Sequence, residues 1–128
     1  MSKENILIEV KNLFKSFDLQ AGFFSKKDKN VYAVNDLSFD IFRGETYGIV
    51  GESGCGKTTT ARLLIKMYEA TSGEILYHSE LGCKNIFLLK KREVKKYREK
   101  VKYVFQDPAK SLNPRMTVLK ILTDGLKY

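Results

Sequence analysis

Apolar and polar positions alternate with period two at Ile6, Ile8 and Val10, the pattern of a half-buried strand over Ile6–Val10. Leu13–Phe17 extends or follows it. Val31–Val34 and Leu37–Ile41 read as two further strands, separated by the turn residues Asn35 and Asp36. After the tight turn Arg43–Gly44–Glu45, Thr46–Val50 is short and mostly apolar, as expected of a strand covered on both faces. The period then changes. Thr59–Met67 lacks Gly and Pro, and Ala61, Leu64 and Ile65 form a helical stripe. Thr71–Ser72–Gly73 ends that helix, Glu74–Tyr77 reads as a strand, and His78–Asn85 as irregular. Leu89–Lys100 reads as a helix with Val94, Tyr97 and Val101 on its buried side, followed by a strand over Val101–Phe105. Asp107–Pro108 and Asn113–Pro114 mark turns, and Thr117 is placed to cap a final helix through Leu126. Between the early strands lies a basic, turn-rich stretch, Gly22–Asn30. There is no internal repeat and no low-complexity segment.

Composition narrows the class. With 128 residues, 43% hydrophobic and 30% charged, the chain suits one small globular domain or part of a larger one. No apolar run reaches the roughly 20 residues of a membrane helix, and the N-terminal residues lack the apolar centre of a signal peptide. A soluble, cytoplasmic chain is the expectation. Cys55 and Cys83 are too few for a disulfide framework and lack zinc-type spacing, so free thiols are expected. The net charge of +8 is concentrated in Lys90–Lys102, where eight basic residues face Glu93 and Glu99. A nucleic-acid patch would need an accompanying motif, and none is present. The charges read as the solvated face of a helix, with no nucleic-acid partner.

The segment that carries chemistry is Gly51–Glu52–Ser53–Gly54–Cys55–Gly56–Lys57–Thr58, which fits G-x-x-x-x-G-K-[ST]. Its expected setting, between an apolar strand and a helix, is the context that the motif requires. Glycines permit backbone angles and close approaches that a side chain forbids. Successive N–H groups then form an anion nest, and the helix N-terminus adds unpaired donors. Lys57 supplies a point charge for the terminal phosphates. The Thr58 hydroxyl is a hard oxygen ligand suited to Mg²⁺. A chance glycine-rich turn before a helix is the bland alternative. The motif specifies a phosphate ligand and leaves the reaction open.

Taken with Thr59, this loop resembles the Walker A loop of ABC transporter ATP-binding subunits. Val104–Phe105–Gln106–Asp107–Pro108 resembles their Q-loop, and Ser111–Val118 is similar to the segment just after the Q-loop in the oligopeptide and dipeptide importer branch. Ala33–Phe39, Thr71–Ile75 and the basic Phe23–Lys29 insertion fit the same pattern, so the resemblance covers nearly the whole chain. It implies an α/β fold: the N-terminal part of an ABC-type P-loop NTPase domain, with an antiparallel β subdomain and an incomplete central sheet. It implies ATP and Mg²⁺ as ligands, held by Gly51, Glu52, Ser53, Gly54, Cys55, Gly56, Lys57, Thr58 and Thr59. Phe17 sits where the family places an aromatic against adenine, with Phe14 as the rival and a plain core role as the alternative. Gln106 is implied as a contact to Mg²⁺ and the attacking water, and as a sensor of the membrane partner. Thr58 and Gln106 are thus the metal candidates. Asp107 is a less suitable metal acid, since Gln106 intervenes, Lys102 breaks the apolar run and Pro108 makes it turn chemistry. The implied partners are integral-membrane permease subunits and a second ATP-binding subunit, with the protein peripheral on the inner face of the membrane.

The family's Leu-Ser-Gly-Gly-Gln type signature, Walker B acid, catalytic glutamate and switch histidine have no counterpart after Gln106. The single histidine, His78, lies upstream, and no Gly-Gly pair occurs. Residues 1–128 therefore read as the N-terminal portion of one ATP-binding domain, without the helical subdomain and C-terminal half. Two readings remain open: an ATP-binding part of a peptide-importer ATPase, or a truncated, non-hydrolysing binder or inert remnant. A third, a small phosphate-loop kinase, lacks a visible arginine-rich lid. Missing central strands leave exposed edges, so the isolated chain is expected to be marginally stable or self-associating. A cooperative, monomeric, high-temperature transition in a melting scan would count against that expectation.

Overall fold

The computed structural model describes residues 5–19, 29–80, 82–107 and 112–124. Its framework is a four-stranded antiparallel sheet in the order β2-β1-β3-β4, formed by β1 (Ile6–Leu19), β2 (Lys29–Phe42), β3 (Ser72–Ser79) and β4 (Gly82–Asn85). Helix α1 (Lys57–Leu64) lies between β2 and β3 in the chain. A short 3₁₀ turn (Ile86–Leu88), α2 (Lys91–Lys100) and α3 (Val118–Asp124) come after β4.

The two early strand pairs merge. β1 runs unbroken from Ile6 to Leu19, so Leu13–Phe17 extends the first strand, and β2 runs through Asn35–Asp36, where a turn was expected. Both strands are irregular there instead of ending. Asn12 and Asp36 adopt left-handed backbone angles (φ 43° and 50°), which short polar side chains tolerate best. The two are tied together: Asn12 Nδ2 donates to Asp36 Oδ1 at 2.9 Å, and Asn12 N–H donates to Ser38 Oγ at 2.8 Å. Within the stretch expected to be irregular, His78 and Ser79 end β3, and Gly82–Asn85 forms its antiparallel partner β4. Lys29 and Asn30 lie in β2, while residues 20–28 of the expected basic loop fall outside the described residues.

Ile8, Val10, Leu13, Val34, Leu63, Ile75, Ile86 and Tyr97 form one buried cluster, so the inward face of the sheet and one side of each of α1 and α2 share a core. On α1 the fully buried positions are Thr60 and Leu63, with Ala61, Leu64 and Ile65 half-buried. Thr60 is tolerated because its hydroxyl donates to Gly56 O at 3.1 Å. On α2 the expected stripe is present, and Tyr97 is its deepest member. The Tyr97 ring meets Tyr77 edge-to-face at 5.1 Å, and its hydroxyl donates to Leu64 O. Burial pushes the Tyr97 phenol well above its ordinary range, so it stays a donor at any ordinary pH.

Helix α1 ends in a Schellman pattern with lysine at the usual glycine position. Lys66 has φ 52°, its N–H donates to Leu63 O at 2.9 Å, and Met67 N–H donates to Arg62 O at 2.8 Å. Arg98 of α2 donates from Nε and Nη2 to Ile65 O and Lys66 O, at 3.3 and 2.7 Å. A guanidinium thus caps the negative end of α1. The Lys66 ammonium reaches the carbonyls of Phe87 and Leu89, at 3.0 and 3.2 Å, which compensates for its strained backbone.

Two expected strands do not form. Thr46–Val50 and Val101–Phe105 belong to no ladder among the described residues, and Val50 and Val104 are 95% and 85% exposed. A parallel strand needs a hydrogen-bonded neighbour and cover on both faces. The described residues supply neither to these segments. Tyr47 instead stacks on Phe39 of β2, with centroids 5.0 Å apart. The expected α/β class with an antiparallel β subdomain therefore holds, whereas the two segments expected to start a central sheet form no strand, residues 46–50 being exposed and 101–105 exposed apart from half-buried Val101 and Tyr103. The final helix begins after Thr117 as expected, with Lys120 N–H donating to Thr117 Oγ1 at 3.3 Å. Its expected end at Leu126 lies outside the described residues.

Leu63→Ala should cost about 2–5 kcal/mol in urea unfolding, as expected for a buried leucine. Val50→Thr should change stability by no more than about 0.5 kcal/mol, because that side chain is in solvent. A large cost at Val50 would place it in a packed strand after all.

Candidate phosphate-binding site

The loop 51–56 joins the exposed 46–50 segment to the first turn of α1. Its anchor is Gly56, the residue before the helix, with φ 99°. A Cβ built there would lie 2.0 Å from the Ala33 carbonyl oxygen of β2. The loop backbone is therefore seated directly on the sheet, a closeness that only glycine allows. Gly54 also has positive φ (83°), but a Cβ there would meet nothing within 4 Å. Glycine at 54 serves the turn, and glycine at 56 serves both turn and contact.

Helix α1 begins at Lys57 with no side-chain cap at Gly56. The amides of Lys57, Thr58 and Thr59 are first-turn donors, which have no partner within a helix. The first intrahelical bond is Thr60 N–H to Gly56 O, at 2.8 Å. No acidic residue occupies the first turn, so the positive end of the helix dipole is not neutralised locally.

The Lys57 ammonium folds back across the loop. It donates to Gly51 O at 2.7 Å and Glu52 O at 2.6 Å, and its nitrogen is 3.6 Å from Cys55 Sγ. Cys55 N–H closes a turn onto Glu52 O at 3.3 Å. The lysine charge therefore sits in the concavity of the loop, beside the helix start. Glu52, Ser53, Cys55 and Thr58 are exposed, with Lys57 and Thr59 half-buried. Both cysteines are free, as expected. This donor set can hold a multiply charged anion through backbone and ammonium groups, with a hydroxyl available to a hard cation.

The residues proposed from sequence are only partly gathered. Gly51–Thr59 forms one continuous unit. Phe17 pairs with Val31 across the β1–β2 ladder, two residues along from Ala33, where the loop is seated. Its ring is 36% exposed, meets Tyr68 edge-to-face at 5.5 Å, and carries Lys15 Nζ 4.8 Å from its centroid. Phe14 is half-buried on the β3 side, opposite Ser72, with its carbonyl taken by Thr71 N–H at 2.9 Å. Gln106 is exposed beyond α2, and no hydrogen bond among the described residues ties it to 51–59. The strand expected to lead into the loop is absent, and residues 46–50 approach it as exposed chain without regular secondary structure.

Two supports were not legible in the sequence. Tyr68 packs on Phe17 and accepts a hydrogen bond from Arg62 Nη1 at 2.9 Å. Arg98 and Tyr97 fix the far end of α1. Neither belongs to a motif, and their partners lie in distant parts of the chain.

The chain is similar to known proteins over most of its length. A family model described as ABC transporter matches residues 34–124. The oligopeptide transport ATP-binding protein OppF of Bacillus subtilis is 48% identical over 94% of this chain and 36% of its own length. The dipeptide transport ATP-binding protein DppF of Lactococcus lactis is 42% identical over 98% of this chain and 38% of its own. The chain thus spans about a third of the length of such curated relatives. Among solved structures, the dimeric bacterial ABC transporter cassette MJ0796 superposes with a TM-score of 0.71 at 28% identity, covering 95% of this chain and 48% of that one. CbiO1 from Clostridium perfringens, part of the transporter complex cbiONQ, gives 0.64 at 25% identity over 95% and 42%.

Gly56→Ala and Gly54→Ala should behave differently. At Gly54 the expected cost is that of a left-handed alanine, about 1–2 kcal/mol. At Gly56 the same cost is joined by a clash with backbone, so the loop must leave β2. Urea unfolding and titration with a fluorescent ATP analogue should show the larger loss of stability and affinity for Gly56→Ala. Equal losses at both positions would remove the contact with Ala33 as an anchor.

Proposed function

Because the chain belongs to the ABC transporter family, we propose that residues 51–59 are the ATP grip of a transporter ATPase subunit that powers import of oligopeptides or dipeptides. The carrying observation is the loop itself: Gly56 pressed on β2, a helix start with no side-chain cap, and the Lys57 ammonium folded onto the Gly51 and Glu52 carbonyls. The 48% identity to a peptide-importer ATP-binding protein supports the substrate class.

The residues fit a Mg²⁺–nucleotide ligand. Phosphate oxygens are stronger acceptors for an ammonium than the two loop carbonyls, so Lys57 exchanges Gly51 O and Glu52 O for them. The first-turn amides of Lys57, Thr58 and Thr59, which have no intrahelical partner, donate to the anion. The Thr58 hydroxyl is the metal ligand from this segment. Mg²⁺, when bound, neutralises phosphate charge and orients the terminal group. Phe17 supplies a partly exposed aromatic face for adenine, and its pairing with Val31 supports its choice over Phe14. Gln106 supplies an amide for the metal and water, reaching the loop through rearrangement of the exposed segment after α2. A second ATP-binding subunit and membrane permease subunits complete the working assembly. It is peripheral on the inner face of the membrane. Hydrolysis is assigned to that assembly, since an acid, a glutamate and an opposing signature are needed beside the loop. The alternative, a non-hydrolysing binder, shares the loop chemistry and differs only in lacking those partners.

Calorimetric titration of the chain with Mg²⁺–ATP should give weak binding that Lys57→Ala largely removes. Phe17→Ala should lower affinity about 2- to 10-fold, the worth of one aromatic contact, with Phe14→Ala close to wild type. Phosphate release should be negligible in all of these proteins. Lys57-dependent turnover by the chain alone would overturn the assignment of hydrolysis to the assembly. Binding unaffected by Lys57→Ala would overturn the grip itself.

A further inference from the structure

Helix α2 is fixed in rotation by three side chains. Tyr97 is buried and bonded to Leu64 O, Arg98 caps α1, and Glu93 is paired with Lys84 at 2.6 Å while also accepting from Lys90 N–H at 3.0 Å. Lys84, then the Lys90 amide, hold the Glu93 carboxyl below the usual carboxylate range, so this clamp is charged at neutral pH. The face that this rotation leaves outward is nearly all cationic. At about 100° per residue, Lys91, Lys95, Glu99, Arg92, Lys96 and Lys100 spread over about half the circumference, and all six are exposed. None of the five cations has an ion-pair or hydrogen-bond partner among the described residues.

Three residues before this helix in the chain, Leu88 is 80% exposed. It is not a loose end. The Lys66 ammonium binds the carbonyls on both sides of it, Phe87 O and Leu89 O, and Ile86 is fully buried. The fold thus holds one large aliphatic side chain in water immediately before the cationic helix in the chain. Such a pairing matches the two terms of interfacial membrane binding: attraction to anionic headgroups, and burial of an apolar side chain at the acyl boundary. Nucleic acid fits less well. Of the aromatics that follow Leu88 in the described chain, Tyr97 is buried, Tyr103 is half-buried edge-to-face on Phe105, and Phe105, 42% exposed, is a single open ring where base stacking uses a series of them.

We propose that the outer face of α2, with Leu88, is a docking surface for an anionic lipid bilayer. The surface is separate from the phosphate loop in sequence and contacts, and its use does not depend on nucleotide. It gives the chain a direct electrostatic hold on the membrane, in addition to any hold through a permease.

Flotation of the full chain with vesicles of mixed phosphatidylglycerol and phosphatidylcholine tests this. Binding is expected at about 0.1 M salt, where the screening length is about 10 Å, and should fall steeply by about 0.5 M. Pure phosphatidylcholine vesicles should not bind. The Lys91→Glu, Lys95→Glu, Lys96→Glu triple variant should lose at least about tenfold in vesicle affinity, and the matching glutamine variant should lose less. Leu88→Asp should lose several-fold with the charges intact. All these positions are exposed, so circular dichroism and Mg²⁺–ATP titration should match wild type, which keeps this test distinct from that of the nucleotide grip. Unchanged vesicle binding in the triple variant would overturn the proposal. So would equal affinity for a short DNA duplex combined with indifference to Leu88→Asp, which would mark a generic polyanion surface.

Discussion

The contact between Gly56 and the Ala33 carbonyl is the constraint on which the site depends. It fixes the backbone of the loop to β2 at the point where α1 begins, and no side chain fits between them. β2 is aligned by its ladder with β1, and β1 by its ladder with β3, so the position of the loop is inherited from a sheet built of distant segments. The helix start, the lysine charge and the partly exposed Phe17 ring all take their places from that seating. Without it, the glycines would leave the loop free, and its amides would not converge.

The opposite end of α1 is constrained as firmly by other means. Its last carbonyls are taken by a backbone Schellman pattern, by the Tyr97 hydroxyl and by the Arg98 guanidinium. The helix is eight residues long, too short to be stable alone. It persists because one end rests on the sheet and the other on α2. The two helices also share the core cluster through Leu63 and Tyr97. A positive charge thus serves each end: Lys57 within the phosphate loop, and Arg98 at the negative end of the dipole.

The phosphate loop was legible in the sequence because its demands are local: glycine where backbone angles are positive, lysine and threonine at the helix start. The alternating apolar residues of β1 and β2 and the stripe of α2 were legible for the same reason. The features that escaped sequence reading depend on partners far along the chain. Asn35–Asp36 carries turn residues, yet Asp36 is held inside a strand by Asn12. Thr46–Val50 and Val101–Phe105 have strand composition, yet composition cannot supply the neighbours that a parallel ladder needs. Tyr68 and Arg98 belong to no motif, and their roles arise only when β1 and α1 meet these later parts of the chain. The resemblance carried by the loop and by Val104–Pro108 named a family, and comparison bore out that family.

The capping of α1 by α2 sets an order for assembly during synthesis. Leu64 emerges from the ribosome 33 residues before Tyr97, whose hydroxyl it needs. At about 5–20 residues per second, that interval is about 2–7 s. Throughout it the β1–β2 hairpin and the loop are already outside the tunnel, while the C-terminus of α1 still lacks its guanidinium and phenol. The nascent loop is therefore an incompletely anchored anion nest for seconds, in a cell rich in phosphate compounds. An anion held at that stage would meet a half-formed site and favour the helical turn, acting on folding before the far end of α1 is fixed.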